Sequence, residues 1–316
     1  MRKIIMGRTG IEVTELCFGT IPMGPLQKNI PLEDASDILA HSLKSGINFV
    51  DTAQIYKTYD HVRMAMEKSG ITPVISTKSA AASYEDMRTA VEQALEGMGV
   101  KKLDIFLLHA ARASNTVFEE RAGALKCLLD YREKGVITAV GISVHAVEAT
   151  GLAAEHPEID IVFPLLNIRG MGILGGSKED MEKAILKCHE NGKGVLLMKI
   201  LAGGSLINNY KPAMDYVAAF SAGRFPQAVG IVSKAEADMN IKYFRGEDIS
   251  AELADLTTES KNFVVIKFLC VKCGACVDHC HSGAITIGDT CHIDESKCLK
   301  CGYCVGACPR FAIRMY

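Results

Sequence analysis

Eight short apolar, β-branched runs alternate with longer segments of helical period through most of the chain, and no other feature limits its fold as strongly. The runs cover residues 16–20, 48–52, 74–78, 104–109, 139–144, 161–166, 194–200 and 228–233. Between them, residues 33–45, 85–96, 119–134, 178–190 and 235–244 read as helices. Several are followed by a glycine suited to the left-handed turn past a helix end: Gly46, Gly97, Gly135 and Gly192. Eight strand–helix units over roughly 250 residues predict an α/β fold of the (β/α)8 TIM-barrel type rather than an open doubly wound sheet. Ahead of the first unit, residues 3–6 and 12–14 flank Gly7-Arg8-Thr9-Gly10 and predict a hairpin. A polar stretch from Leu256 to Asn262 then marks a boundary, dividing the chain into a barrel over 1–260 and a small α+β unit over 263–316.

The second unit is set apart by sulfur. Of twelve cysteines, nine fall from Phe263 onward. Cys270, Cys273, Cys276 and Cys280 recur 28 positions later as Cys298, Cys301, Cys304 and Cys308, and Gly274/Gly302, Val277/Val305, Ala284/Ala312 and Ile285/Ile313 keep the same offset. Each half reads C-x2-C-x2-C-x3-C, a spacing in which three thiolates hold three corners of a [4Fe–4S] cube and the fourth reaches the other cube. On that rule the ligand sets are Cys270, Cys273, Cys276 and Cys308 for one cluster, and Cys298, Cys301, Cys304 and Cys280 for the other. Zinc is the competing reading, but a structural zinc takes four ligands and two such runs would leave cysteines over. The unit resembles bacterial-type two-cluster ferredoxins, with Pro309 after the second motif as in that family and His281 where the first usually has proline. Cys291 reads as a spare thiol, and Cys17, Cys127 and Cys188 as inert ones. A unit this small has too little apolar mass to fold unaided, so the clusters are expected to serve as its core.

Reactive groups in a (β/α)8 barrel belong at the C-terminal ends of the strands. Asp51, Lys78 and His109 close three neighbouring runs, and Tyr56 follows Asp51 on the loop over the same mouth. Singly each has a structural explanation: a turn cap, an ion-pair partner, a core histidine, a packing aromatic. An acid, a phenol, an amine and an imidazole converging on adjacent strand ends are harder to explain by packing. The stretches Asp51-Thr-Ala-Gln-Ile-Tyr56, Ser76-Thr-Lys78 and Leu107-Leu-His109 resemble the Asp/Tyr/Lys/His tetrad of aldo-keto reductases, and the eight-unit pattern is similar to that fold over residues 1 to about 260. The resemblance implies NAD(P)H-dependent carbonyl reduction, or the reverse alcohol oxidation, with Tyr56 as general acid. Lys78 is expected to lower the phenol from its ordinary pKa of about 10, with Asp51 holding Lys78 charged and His109 orienting the carbonyl. For the cofactor, NADP(H) or NAD(H), the resemblance points to Ser143, His145 where asparagine is usual, and Asn167. The Gly203-Gly204 loop and Ser233-Lys234, at a helix start, suit its phosphates.

A formal net charge of −2 leaves no basic excess for nucleic acid or an anionic membrane. No apolar run reaches a membrane span, and Gly7-Arg8-Thr9-Gly10 interrupts the opening segment before a secretory apolar region forms, so a cytoplasmic protein is expected. Small-molecule redox chemistry remains. Hydride transfer moves two electrons together whereas each cluster passes one, so exchange between them is awkward without a flavin or a radical-tolerant substrate. Two readings follow: an oxidoreductase of aldo-keto reductase type whose cluster pair relays electrons to or from an external carrier, or an electron-transfer protein whose barrel binds a flavin or a redox partner. The cysteine unit follows soon after the eighth strand and is expected to wall part of the substrate pocket.

Overall fold

A computed structural model describes residues 1–256, 262–280, 282–298 and 302–315. The chain opens with the expected hairpin, β1 (Lys3–Ile5) antiparallel to β2 (Glu12–Thr14). Eight strands follow: β3 (Leu16–Gly19), β4 (Phe49–Asp51), β5 (Val74–Ser79), β6 (Leu103–His109), β7 (Ile137–Val144), β8 (Ile161–Pro164), β9 (Gly194–Val195) and β10 (Gln227–Gly230). They pair in parallel in sequence order from β3 to β9, with β10 beside β3. A parallel bridge between Leu197 and Gln227 joins β9 to β10 and closes the ring. The predicted barrel is therefore present, strand for strand.

Helices α1 (Leu32–Lys44), α2 (Tyr59–Ser69), α3 (Tyr84–Met98), α4 (Val117–Glu120), α5 (Ala122–Glu133), α6 (Val147–Glu155), α7 (Lys178–Glu190), α8 (Tyr210–Ser221), α9 (Lys234–Arg245) and α10 (Ser250–Leu256) surround the ring. One apolar layer lies between helices and strands, where Leu39, Met87, Leu128 and Ile185 meet Val50, Phe106, Val140 and Val162. A second fills the barrel itself with Met6, Val13, Phe49, Ile105, Leu107, Ile161 and Leu196. Met6, from the hairpin, seals the lower end. One helix end differs from expectation: Gly97 lies inside α3 against Tyr59, and Gly99, at φ 66°, ends the helix instead. Glycine at 97 serves close packing, and glycine at 99 serves the turn.

The expected boundary, Leu256 to Asn262, lies outside the described residues apart from its ends. Beyond it, β11 (Phe263–Val265) pairs antiparallel with β14 (Ile313–Met315), and β12 (Ile285–Ile287) with β13 (Cys291–Ile293). Two short helices, α11 (Ala275–Asp278) and α12 (Tyr303–Ala307), each start from a left-handed glycine, Gly274 and Gly302, both at φ 81°. The sequence repeat thus has a backbone repeat beneath it. The strand β14 lies against the Gly203-Gly204 turn, and Phe311 joins the side chains filling the barrel. Among the described residues no helix is long and apolar enough to cross a membrane.

Candidate active site

At the upper end of β4 and β5 the backbone register brings Asp51 opposite Ser76, two residues before Lys78. Lys78, almost fully buried, places Nζ 2.8 and 2.7 Å from the two carboxylate oxygens of Asp51 and 2.9 Å from the Thr52 carbonyl. Ser76 Oγ donates to the same carboxylate at 3.1 Å. Burial alone would drive the ammonium down, but the Asp51 carboxylate and the Tyr56 oxygen overcome it and hold Lys78 above its ordinary value. Lys78 therefore stays charged.

Tyr56 rests on a single helical turn after β4, with the Lys78 ammonium 4.8 Å from its ring centroid. Its ring meets that of His109, from the end of β6, edge to face at 5.9 Å. All four residues of the expected tetrad converge. The expected direction for the phenol does not hold: burial pushes Tyr56 above its ordinary value, and the pull of Lys78 opposes this without overcoming it. His109 is held at about 3 by burial, then by the charges of Lys78, Lys199 and Arg121, so its imidazole is neutral at physiological pH. A neutral imidazole beside a protonated phenol gives two hydrogen-bond donors to one oxygen without adding charge.

From Tyr56 a groove of ≈ 200 Å³ runs past Phe163, Met198 and Lys199 to Val232 and Glu236 at the head of α9. Of the seven expected cofactor residues, Gly203 and Gly204 line this groove. Their bare Cα atoms face the cysteine unit: a Cβ on Gly203 would come within 2.5 Å of Arg314 Nη1, and one on Gly204 within 2.1 Å of the Met315 carbonyl oxygen. Ser143 and His145 open instead on an adjoining chamber. Asn167 turns into its own loop, donating to the Met171 carbonyl and accepting from the Arg169 and Met171 amides, and lines neither space. Ser233 caps α9 by accepting from the Glu236 amide, and Lys234 contributes its charge near Asp37 on α1 rather than in the groove. The groove runs from Asp51 and Tyr56 to the head of α9, with the Gly203-Gly204 turn between, so its lining offers a nicotinamide cofactor a reacting end and a helix start.

Sequence reading missed Glu236, Lys199 and Arg314. The carboxylate of Glu236 accepts from the Val232 amide at 2.8 Å at the far end of the groove. Arg314 and Met315 line the groove, and Ile266, Phe268 and Leu269 line the adjoining chamber, so the cysteine unit walls the pocket as expected.

Cys270, Cys273, Cys276 and Cys308 line one small cavity, the grouping that the spacing predicts for the first cluster. Backbone amides point at its sulfurs: Ala312 donates to Cys308 Sγ at 3.2 Å and Cys291 to Cys270 Sγ at 3.4 Å. In the other set, Ala284 donates to Cys280 Sγ at 3.3 Å. Burial opposes ionisation of Cys270 and Cys280, yet the hydrogen bonds around each outweigh it and hold both thiols below their ordinary value. These sulfurs suit anionic thiolate ligands. Cys298 and Cys304 are described, whereas Cys301 and His281 lie outside the described residues. Among the described residues no three His, Cys, Asp or Glu side chains are grouped to hold a single metal ion. Cys291 lines the same cavity as a fifth cysteine, 3.7 Å, sulfur to sulfur, from Cys276, and burial pushes its thiol up.

Comparison with known proteins agrees with this arrangement. Residues 15–243 match the aldo/keto reductase family, and residues 269–312 match the 4Fe-4S dicluster domain. An uncharacterized oxidoreductase of Schizosaccharomyces pombe is 24% identical over 176 residues, covering 51% of this chain and 59% of that protein. A glycerol 2-dehydrogenase (NADP(+)) of Saccharomyces cerevisiae is 28% identical over 110 residues, covering 34% of this chain and 33% of its own length. The chain thus spans between a third and three-fifths of these curated relatives. In fold it is similar to the holo form of an aldo-keto reductase from Bacillus halodurans, with a TM-score of 0.65 at 18% identity, over 81% of this chain and 96% of that one. The match spans the barrel from its first strand into α9 and is followed by the cysteine unit, so the chain belongs to the aldo/keto reductase family and carries a 4Fe-4S dicluster domain behind its barrel.

Proposed function

We propose that the barrel reduces a small carbonyl compound, or oxidises the matching alcohol, with NAD(P)H as hydride donor and Tyr56 as the proton donor. The observation that carries this reading is the convergence of Asp51, Tyr56, Lys78 and His109 at one end of the groove. The bound cofactor would supply a hydride to the carbonyl carbon. The carbonyl oxygen takes the proton from Tyr56 Oη, leaving a phenolate that the adjacent Lys78 ammonium stabilises, while His109 orients the same oxygen through a hydrogen bond. Asp51 keeps Lys78 charged and in place. Because burial raises the phenol, it stays protonated until the carbonyl oxygen gains negative charge. Replacing Tyr56 by phenylalanine should lower kcat for NAD(P)H-dependent carbonyl reduction by about 10²–10⁴-fold. Unchanged turnover in that variant would overturn the reading.

Glu236 supports a choice between the two nicotinamide cofactors. A carboxylate at the far end of the groove favours a ribose hydroxyl and repels a ribose phosphate. NADH should be used in preference to NADPH, and Glu236→Gln should narrow the ratio of their kcat/KM values. A wild-type preference for NADPH would count against this.

For the cysteine unit the proposal is an electron relay to or from an external carrier. Its support is placement: Cys308 lines the first cluster cavity and Phe311, three residues on, enters the barrel. Arg112 Nη2 donates to the Arg310 carbonyl at 2.8 Å, tying that segment to the rim. Anaerobic holo-protein titrated with a one-electron donor should show cluster reduction and, on addition of a one-electron acceptor, reoxidation. Clusters that stay reduced in the presence of that acceptor would leave them a folding role alone.

A further inference from the structure

A second chamber, ≈ 330 Å³, opens on the His109 side of Tyr56 beneath Ile266, Phe268 and Leu269. Its walls carry Arg112, Arg121, Lys199, Arg310 and Arg314 against a single carboxylate, Glu120. Glu120 is engaged by the hydroxyls of Ser114 and Thr116. Arg121 is spent on the carbonyls of Ala80 and Ala81, and Arg112 donates to that of Arg310.

Arg310 is half-buried and its Nε, like that of Arg314, has no hydrogen-bond partner; Lys199 and Arg314 differ from the other cations in sharing one ring. Arg314 is 5% exposed, its Nε has no hydrogen-bond partner, and it makes no ion pair among the described residues. Lys199 likewise makes no ion pair among them. Both sit near one aromatic ring: the ammonium is 4.3 Å and the guanidinium 5.3 Å from the Phe311 centroid. Lys199 also holds a left-handed backbone at φ 57°, a conformation that costs a long side chain energy and persists where the surroundings enforce it. Burial first, and then the charges of Arg314 and Arg112, push Lys199 well down, while burial takes Arg314 to about 10 against the pull of Tyr56 and Cys308. Two basic groups set over one ring, neither with an ion pair among the described residues, gain charge-assisted hydrogen bonds when an anion enters.

We propose that this chamber recognises the anionic end of the substrate, a carbonyl compound carrying a carboxylate or phosphate group, with Arg314 and Lys199 as the binding pair. The proposal rests on the reading of the barrel mouth as a carbonyl-reducing site, and it assigns the chamber the part of the substrate away from the reacting carbon. Arg314 lies within electrostatic reach of Cys308, so counter-charge for the first cluster is the competing role, and Arg314 and Lys199 also line the groove, which makes the phosphates of the cofactor a competing anion.

Calorimetry on the anaerobic holo-protein separates these roles without turnover. The probes are oxamate, inorganic phosphate and the neutral oxamide, and the proteins are wild type, Arg314→Met and Lys199→Met. Wild type should bind one of the two anions at least about tenfold tighter than oxamide, as expected for charge-assisted hydrogen bonds. The tighter of the two identifies the anionic group. Each substitution should weaken that anion by about tenfold or more and leave iron and sulfide content and the EPR spectrum of the reduced clusters unchanged. Equal binding of all three probes would overturn the proposal. So would variants that lose iron together with anion binding, or that raise KM for the nicotinamide alone while oxamate and phosphate bind as before. Because binding is read directly, the result stands apart from the Tyr56→Phe test of the chemistry.

Discussion

At the scale of single residues, the pair of Asp51 and Lys78 sets the conditions for everything beside it. Both are buried, so neither charge has water to fall back on. Lys78→Met should destabilise the barrel by about 3–5 kcal/mol, because it strands a carboxylate in the interior, whereas adding Asp51→Asn should recover part of that loss. Urea unfolding of the single and double variants checks both. His109 supplies a second test. Its folded value of about 3 lies below the ordinary 6.5, so below pH 6.5 the unfolded state binds the extra proton and the folded state does not. The stability gained from keeping it neutral is fully present above pH 6.5 and is lost as pH falls towards about 3. Unfolding midpoints measured from pH 7 downward should fall more steeply for wild type than for His109→Gln. Parallel slopes would place the acid sensitivity elsewhere. These residues were legible because each closes an apolar run, and the run's own pattern says where the barrel mouth lies. The direction of the Tyr56 shift was not, since desolvation depends on neighbours from other elements.

At the scale of elements, strand register did most of the positioning, and the apolar runs announced it well. The seventh run is the instructive exception. Regular pairing stops at Val195, and the continuation makes isolated bridges at Leu197 and Met198 before Lys199 turns left-handed. An apolar pattern can mark residues as buried without marking where the backbone leaves the sheet. The contacts of β14 and the Phe311 turn with the barrel had no local signal, because they join positions more than a hundred residues apart. Gly172, at φ 85°, is one such contact: a Cβ there would come within 1.7 Å of Phe311. Gly172→Ala should therefore expel the ring, leaving the circular dichroism of the barrel near wild type while exposing the 309–315 segment to protease. Unchanged resistance to proteolysis would mean that the ring has room to move.

At the scale of the whole molecule, two units of different chemistry share one pocket. Iron removal by an anaerobic chelator should release the cysteine unit to limited proteolysis and leave a barrel fragment that still unfolds cooperatively, provided the clusters are that unit's core. A barrel that melts along with the tail would show the two to be one cooperative body. The sequence spacing anticipates the meeting of Cys270, Cys273, Cys276 and Cys308 at one cavity, whereas the shared pocket emerged only in three dimensions. Its consequence lies in the order of assembly. Cys308 and Arg314 are six residues apart on one segment, so a cluster bound through Cys308 would also hold in place the cation that lines the pocket. A newly made chain in an iron-starved or oxygenated cell would own a complete tetrad and an unfinished wall. On the proposed reading of the barrel, its activity would then follow the supply of iron and sulfide.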